Sequence, residues 1–85
     1  MNSRQRAYLK GLAMNLDPIM QIGKASLTEE NAAAIAEAME PRELIKISVL
    51  KNCADDPKII AGEIAKLTRS EVVQVIGKKI VLYKQ

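Results

Sequence analysis

Histidine, tryptophan and phenylalanine are absent from this chain; cysteine occurs once, at Cys53, and tyrosine twice, at Tyr8 and Tyr83. Each shortage excludes something. Without histidine the commonest general acid–base is missing, and no Ser-His or Cys-His pair can form. A lone cysteine forms no internal disulfide, and without His or a second Cys a zinc-type site is excluded. Two aromatics are too few for a base-stacking surface, which needs several exposed rings. The apolar runs are far too short to span a membrane, so no membrane partner is expected. The first residues are basic but lead into no apolar stretch, so no signal peptide is expected and the setting is read as cytoplasmic.

What is present suits a small folded domain. The chain has 85 residues, 48% of them hydrophobic, too many for a disordered segment. That length allows one domain, residues 1–85, burying roughly 60–65% of its unfolded surface. Net charge is +3, by itself a weak pointer to a polyanionic partner. Its distribution says more. Bases outnumber acids in residues 1–24 (Arg4, Arg6, Lys10 and Lys24 against Asp17) and in residues 72–85 (Lys78, Lys79 and Lys84), while acids prevail between. If the fold joins the two ends, one face is basic.

Periodicity predicts the element order α-β-α-β-α-β-β. Tyr8, Leu9, Leu12, Ala13 and Leu16 form an apolar stripe on a helix over 3–15, with Ser3 as its cap and Gly11 as a candidate for close packing. Asp17-Pro18 ends it. Residues 19–22 read as a short strand and 23–26 as a tight loop. A second helix starts at Thr28, preferred over Ser26 as cap, and stops before Pro41. Residues 44–50 alternate as a strand, with Ile45, Ile47 and Val49 on one side and Lys46 and Ser48 on the other. Asp56 caps a third helix with Pro57 at its first position, burying Ile60, Ile64 and Leu67. Asp55 is read with Asp56 as helix-capping, Glu29, Glu30 and Glu37 as solvated surface, and Met14, Met20 and Met39 as core filler. Strands 71–76 and 79–84 flank a Gly77-Lys78 turn. The expected fold is a two-layer α/β (α+β) arrangement with a four-stranded mixed sheet, its helix-linked strands parallel and its last hairpin antiparallel.

Chemistry concentrates at Gly23, Lys24, Ala25 and Ser26. A loop between a strand and a helix N-terminus offers backbone N–H groups to an anion. Gly23 would allow a sharp turn and close approach of a phosphate, and Lys24 adds charge. A nucleotide-binding P-loop is excluded: Pro18 stands where the first glycine belongs, and Ala25 where Ser or Thr must follow the lysine.

The segments SRQRAYLKGLAMNLDP, IMQIGKASLTEE, RELIKISVL and VVQVIGKKIVLYK resemble, in order and over nearly the whole chain, the CRM domain (chloroplast RNA splicing and ribosome maturation), and among its members the bacterial single-domain YhbY family. The resemblance implies a fold similar to the C-terminal domain of translation initiation factor three. It also implies RNA binding, with association to large-subunit ribosomal precursors in bacteria. Its GxxG loop falls on residues 23–26, with Ser26 in place of the second glycine. The expectation is therefore a monomeric, non-enzymatic RNA-binding protein without cofactors. Lys24 and the loop amides would meet phosphate, with Arg4, Arg6, Lys10, Lys78, Lys79 and Lys84 around them. The alternative is a protein–protein adaptor at the ribosome, whose mark would be an apolar patch that the core does not claim.

Overall fold

The computed structural model describes residues 1–84. Its elements are α1 (Ser3–Ala13), β1 (Gln21–Ile22), α2 (Glu29–Met39), β2 (Leu44–Val49), α3 (Pro57–Thr68), β3 (Glu71–Ile76) and β4 (Lys79–Tyr83), in the order expected. The strands line up as β1-β2-β4-β3. β1 is parallel to β2, and β4 is antiparallel to both β2 and β3. The three strands linked through helices thus run one way, and the last strand inserts between two of them.

Alternation places the core. Ile22, Ile45, Ile47, Val49, Ile80 and Leu82 face α2 and α3, where Ile35, Met39, Ile60, Ala61 and Ile64 complete the main cluster. This is the expected layer of helices on a sheet. α1 lies across part of the opposite face, where Leu9 and Ala13 pack on Val73 and Val81. A bulge in β3 sets Val72 opposite Leu82 and Gln74 opposite Val81, which leaves Val73 as the extra residue on the α1 side.

Several local readings change. The cap of α1 is Asn2, not Ser3. Gln5 N–H donates to Asn2 Oδ1 (2.8 Å), and Asn2 N–H donates to Gln5 Oε1 (3.0 Å). Capping from Ser3 would put Arg6 third in the helix, and arginine has no acceptor to return. α1 ends at Ala13, two residues early. On its stripe only Leu9 and Ala13 are buried; Leu16 is half-buried and Tyr8 and Leu12 are exposed, because the helix meets only part of the sheet. Met14 is likewise exposed, while Met20 and Met39 pack on the core. In α3 the inward row runs Ile60, Ile64, Thr68, so Leu67 is exposed. Thr68 takes that position because its hydroxyl donates to Ile64 O at 2.8 Å, so its polar atom is paired although buried. β1 is only two residues long, although Ile19 N–H already donates to Lys46 O at 2.9 Å.

The hairpin turn has Gly77 at φ +57°, while Lys78 is not in the left-handed region, the pattern of a type II′ turn with glycine first. Gly11, by contrast, is not a close-packing position: a Cβ there would meet nothing within 4 Å. Gly11→Ala is therefore expected to stabilise the domain by about 1 kcal/mol through helix propensity alone. Thermal unfolding should move up by about 4–8 °C; an unchanged or lower midpoint would mean that α1 needs glycine at this point.

Candidate nucleic-acid interface

The parallel pairing of β1 and β2 brings their C-terminal ends to one edge of the molecule. Leu50 N–H donates to Ile22 O (2.8 Å), so the loops 23–26 and 50–56 leave the sheet side by side. Val49 N–H donates to Lys78 O (2.7 Å), which adds the hairpin turn to the same end. The N-termini of α2 and α3, capped by Thr28 and Asp56, also open there. The carboxyl ends of parallel strands, with helix N-termini behind them, are where open α/β sheets take ligands.

This end gathers Lys24, Lys78 and Lys79 from the expected set, all exposed, and adds Lys51. Lys79 lies on the α1 side of the sheet and donates from Nζ to Ser48 Oγ at 2.9 Å; Ser48 is only 5% exposed, although polar. Lys46 is half-buried on the same side. With Gln21, Gln74 and Ile76 these residues form a strip of sheet that α1 leaves open. The sequence did not single out Lys46 or Lys51: Lys46 reads only as a polar position of strand 44–50, and Lys51 stands in a turn. Only the strand pairing sets Lys46 on the same face as Lys79 and brings Lys51 beside loop 23–26.

The other expected residues are placed differently. Arg6 is half-buried and donates from one guanidinium nitrogen to Val72 O (2.8 Å) and Val73 O (2.7 Å), tying α1 to the bulge. Lys10, one turn on, is exposed. Arg4 sits in the first turn of α1, near the end where the Met1 ammonium lies 3.5 Å from Glu71. Lys84 is at that end too, its N–H donating to Glu43 O. The chain termini therefore do not merge into one basic patch with the loop.

The helices α1 and α2, on opposite faces of the sheet, differ in charge. α1 carries Arg4, Arg6 and Lys10 and no acid; α2, across the sheet, carries Glu29, Glu30 and Glu37 and no base. Both tyrosines line a cleft of about 520 Å³ between α1 and the far end of the sheet, with Leu9, Leu12, Glu43 and Glu71. The basic end has no aromatic ring. It offers ammonium groups, amides and backbone N–H groups, which suit phosphate and ribose oxygens rather than base stacking.

In the 23–26 loop, Ser26 N–H donates to Gly23 O at 2.9 Å, closing a tight turn. The left-handed residue is Ser26, at φ +61°, and not Gly23. A Cβ on Gly23 would touch Leu50 Cδ1 at 3.5 Å, an ordinary contact, so the turn itself does not require that glycine. Left-handed geometry costs a non-glycine residue about 1–2 kcal/mol. Ser26 is held there with its hydroxyl donating to Asp55 Oδ2 at 2.5 Å. Asp56 alone caps α3, accepting from Lys58 N–H at 2.8 Å, so Asp55 is a loop-to-loop link rather than a cap. The amides of Lys24 and Ala25 donate to no carbonyl among the described residues.

These features define a small α/β domain with a basic loop end and no stacking platform. A CRS1 / YhbY (CRM) domain description matches residues 1–84. The chain is 45% identical to the Bacillus subtilis protein named "Probable RNA-binding protein YqeI", over all of this chain and 88% of that one. It is 36% identical to a Haemophilus influenzae protein named "RNA-binding protein", over 99% of this chain and 85% of that one. A Staphylococcus aureus protein solved in solution superposes with a TM-score of 0.86 at 47% identity, covering all of this chain and 88% of its own. The chain belongs to the CRS1 / YhbY (CRM) domain family.

Arg6 is thus part of the scaffold before it is part of any interface. Arg6→Ala should cost about 2 kcal/mol in urea unfolding, the size expected for hydrogen bonds from a charged group. Arg4→Ala should stay within about 0.5 kcal/mol. Equal effects of the two would remove Arg6 from the docking of α1.

Proposed function

We propose that this protein binds RNA without catalysing a reaction, and that it meets RNA with the end formed by loop 23–26, the Gly77-Lys78 turn and the open strip of the sheet. The observation that carries this reading is the meeting of Lys24, Lys51, Lys78 and Lys79 at the carboxyl end of the parallel strands, among them the amides of Lys24 and Ala25, which donate to no carbonyl among the described residues. Relatives whose names state RNA binding support it. Lys46 and Lys10 extend the field over the α1 side, away from the acids of α2. Arg4 and Lys84, at the opposite end, reach only RNA long enough to pass along the molecule.

The RNA we propose is ribosomal, in precursors of the large subunit, with the protein acting as a cytoplasmic monomer. That part rests on the likeness to the YhbY family. Recognition would run through phosphate positions and RNA shape, since the basic end has no ring on which a base could stack.

Binding should fall steeply with salt as counterions are released. Lys24→Glu and Lys79→Glu are each expected to weaken binding and to flatten the salt slope by about one, while circular dichroism remains that of the parent. Lys84→Glu should do less. A folded Lys24→Glu variant that binds like the parent would remove the loop from the interface. Ultraviolet crosslinking in the native cell tests the target. Crosslinks concentrated in large-subunit ribosomal RNA support the assignment, and crosslinks confined to other transcripts overturn it.

A further inference from the structure

The two aromatic residues of the chain, Tyr8 and Tyr83, meet in one cleft of about 520 Å³, at the end of the sheet away from loop 23–26. That volume is in the range of small-ligand sites. Neither ring belongs to the buried core. Tyr83 is half-buried, packed on the cluster of Leu9 and Ala13, and forms a fixed wall. Tyr8 is 67% exposed, on the part of the α1 stripe that the sheet does not cover. The polar lining is Gln5, Glu43 and Glu71. Glu71 lies against the Met1 ammonium, whereas Glu43 makes no ion pair among the described residues. The side-chain oxygen of Gln5 accepts from Asn2 N–H, while its amide nitrogen donates to nothing among the described residues. Cations stand beside the cleft without lining it. Arg4 is one turn before Tyr8 on α1, and Lys84 follows Tyr83, its N–H bonded to Glu43 O. Arg42, next to Glu43, donates instead to Ala38 O.

We propose that this cleft is a second RNA subsite that takes one unpaired base, and that guanine is the base it fits best. The inference rests on the RNA-binding reading above and supplies the base contact that the lysine end lacks. Rings and aliphatic lining receive the faces of a base, and the polar lining meets its edge, which is how unstacked bases are read in RNA. One carboxylate accepts two donors, and the Watson–Crick edge of guanine presents two side by side, N1–H and an N2–H. The guanine oxygen beside them can take the Gln5 amide. Adenine and cytosine offer one amine on that edge, and uracil one N–H. A phosphate does not fit inside the cleft, because Glu43 and Glu71 repel it. The phosphates on either side of the base fall to Arg4 and Lys84, which stand at the opposite end from loop 23–26. A basic protein segment would satisfy the carboxylates, but Arg4 and Lys84 oppose its approach.

The test uses three uridine hexamers, one unmodified, one with a central guanine and one with a central adenine, and reads the quenching of tyrosine fluorescence. The chain has no tryptophan, so the signal comes from Tyr8 and Tyr83, which both line the cleft. The guanine hexamer should quench, and should bind roughly tenfold tighter than the unmodified one. Tyr8→Ala, at an exposed helical position that suits alanine, should weaken the guanine hexamer about fivefold or more, and Tyr8→Phe should keep it. Glu43→Gln should bring the ratio of guanine to adenine affinity towards one, because an amide has one acceptor oxygen where a carboxylate has two. Glu63→Gln, on α3 outside the cleft, should leave that ratio unchanged. Equal binding of the three hexamers, or a guanine preference that survives Glu43→Gln, would overturn the proposal. Stronger quenching by a tetra-arginine peptide than by any hexamer would make the cleft a protein site and overturn it too. If no hexamer quenches while Lys24→Glu still weakens binding to ribosomal RNA, the subsite is removed and the RNA reading stands. If neither Lys24→Glu nor Tyr8→Ala changes binding to any RNA, both fall.

Discussion

Everything at the basic end depends on the register in which β4 sits between β2 and β3. Ile45 stands opposite Leu82, and Ile47 opposite Ile80, with all four buried against α2 and α3. A slip of β4 by one residue would turn its other face inward and drive Lys79 into the core, where an unpaired charge is untenable. The apolar alternation therefore protects the register, and the register places the lysines. The same pairing sets Ser48 against Lys79 and Val49 against Lys78.

α1 is held by a different interaction. Only Leu9 and Ala13 give it a buried face, which is little for an eleven-residue helix. Arg6 adds a charged clamp on two carbonyls of the β3 bulge. The bulge matters because it directs Val73 towards α1, so that a sheet whose main core lies on one side can hold a helix on the other. With α1 docked there, its basic side chains lie across the sheet from the acidic α2, and the modest net charge of the molecule becomes a polarised one.

The loop end shows two glycine-like positions with different demands. Gly23 is conformationally ordinary, whereas Ser26 adopts the backbone geometry that glycine would take more cheaply. The hydroxyl that replaces glycine is tied to Asp55, which couples the two loops that follow β1 and β2. A loop whose hydroxyl is tied to a carboxylate is a different anion site from an open turn carrying a lysine. The proposed RNA contact takes its character from that difference.

Local interactions were legible in the sequence because their partners lie a few residues apart. The element order, the Thr28 and Asp56 caps, the Pro57 start of α3 and the Gly77-Lys78 turn all follow from periodicity and from side chains that bond their own backbone. Errors arose where two cap sites or two helix faces competed at similar cost, as with Asn2 over Ser3 and Thr68 over Leu67. The tertiary structure alone decided which charges meet. Lys46 and Lys51 joined the candidate site, Arg6 was drawn into the scaffold, and Arg4 and Lys84 went to the opposite end. Asp55 found its partner 29 residues away. Such pairings depend on strand order and on a bulge, which arise from packing the whole sheet at once and leave no periodic trace in the chain.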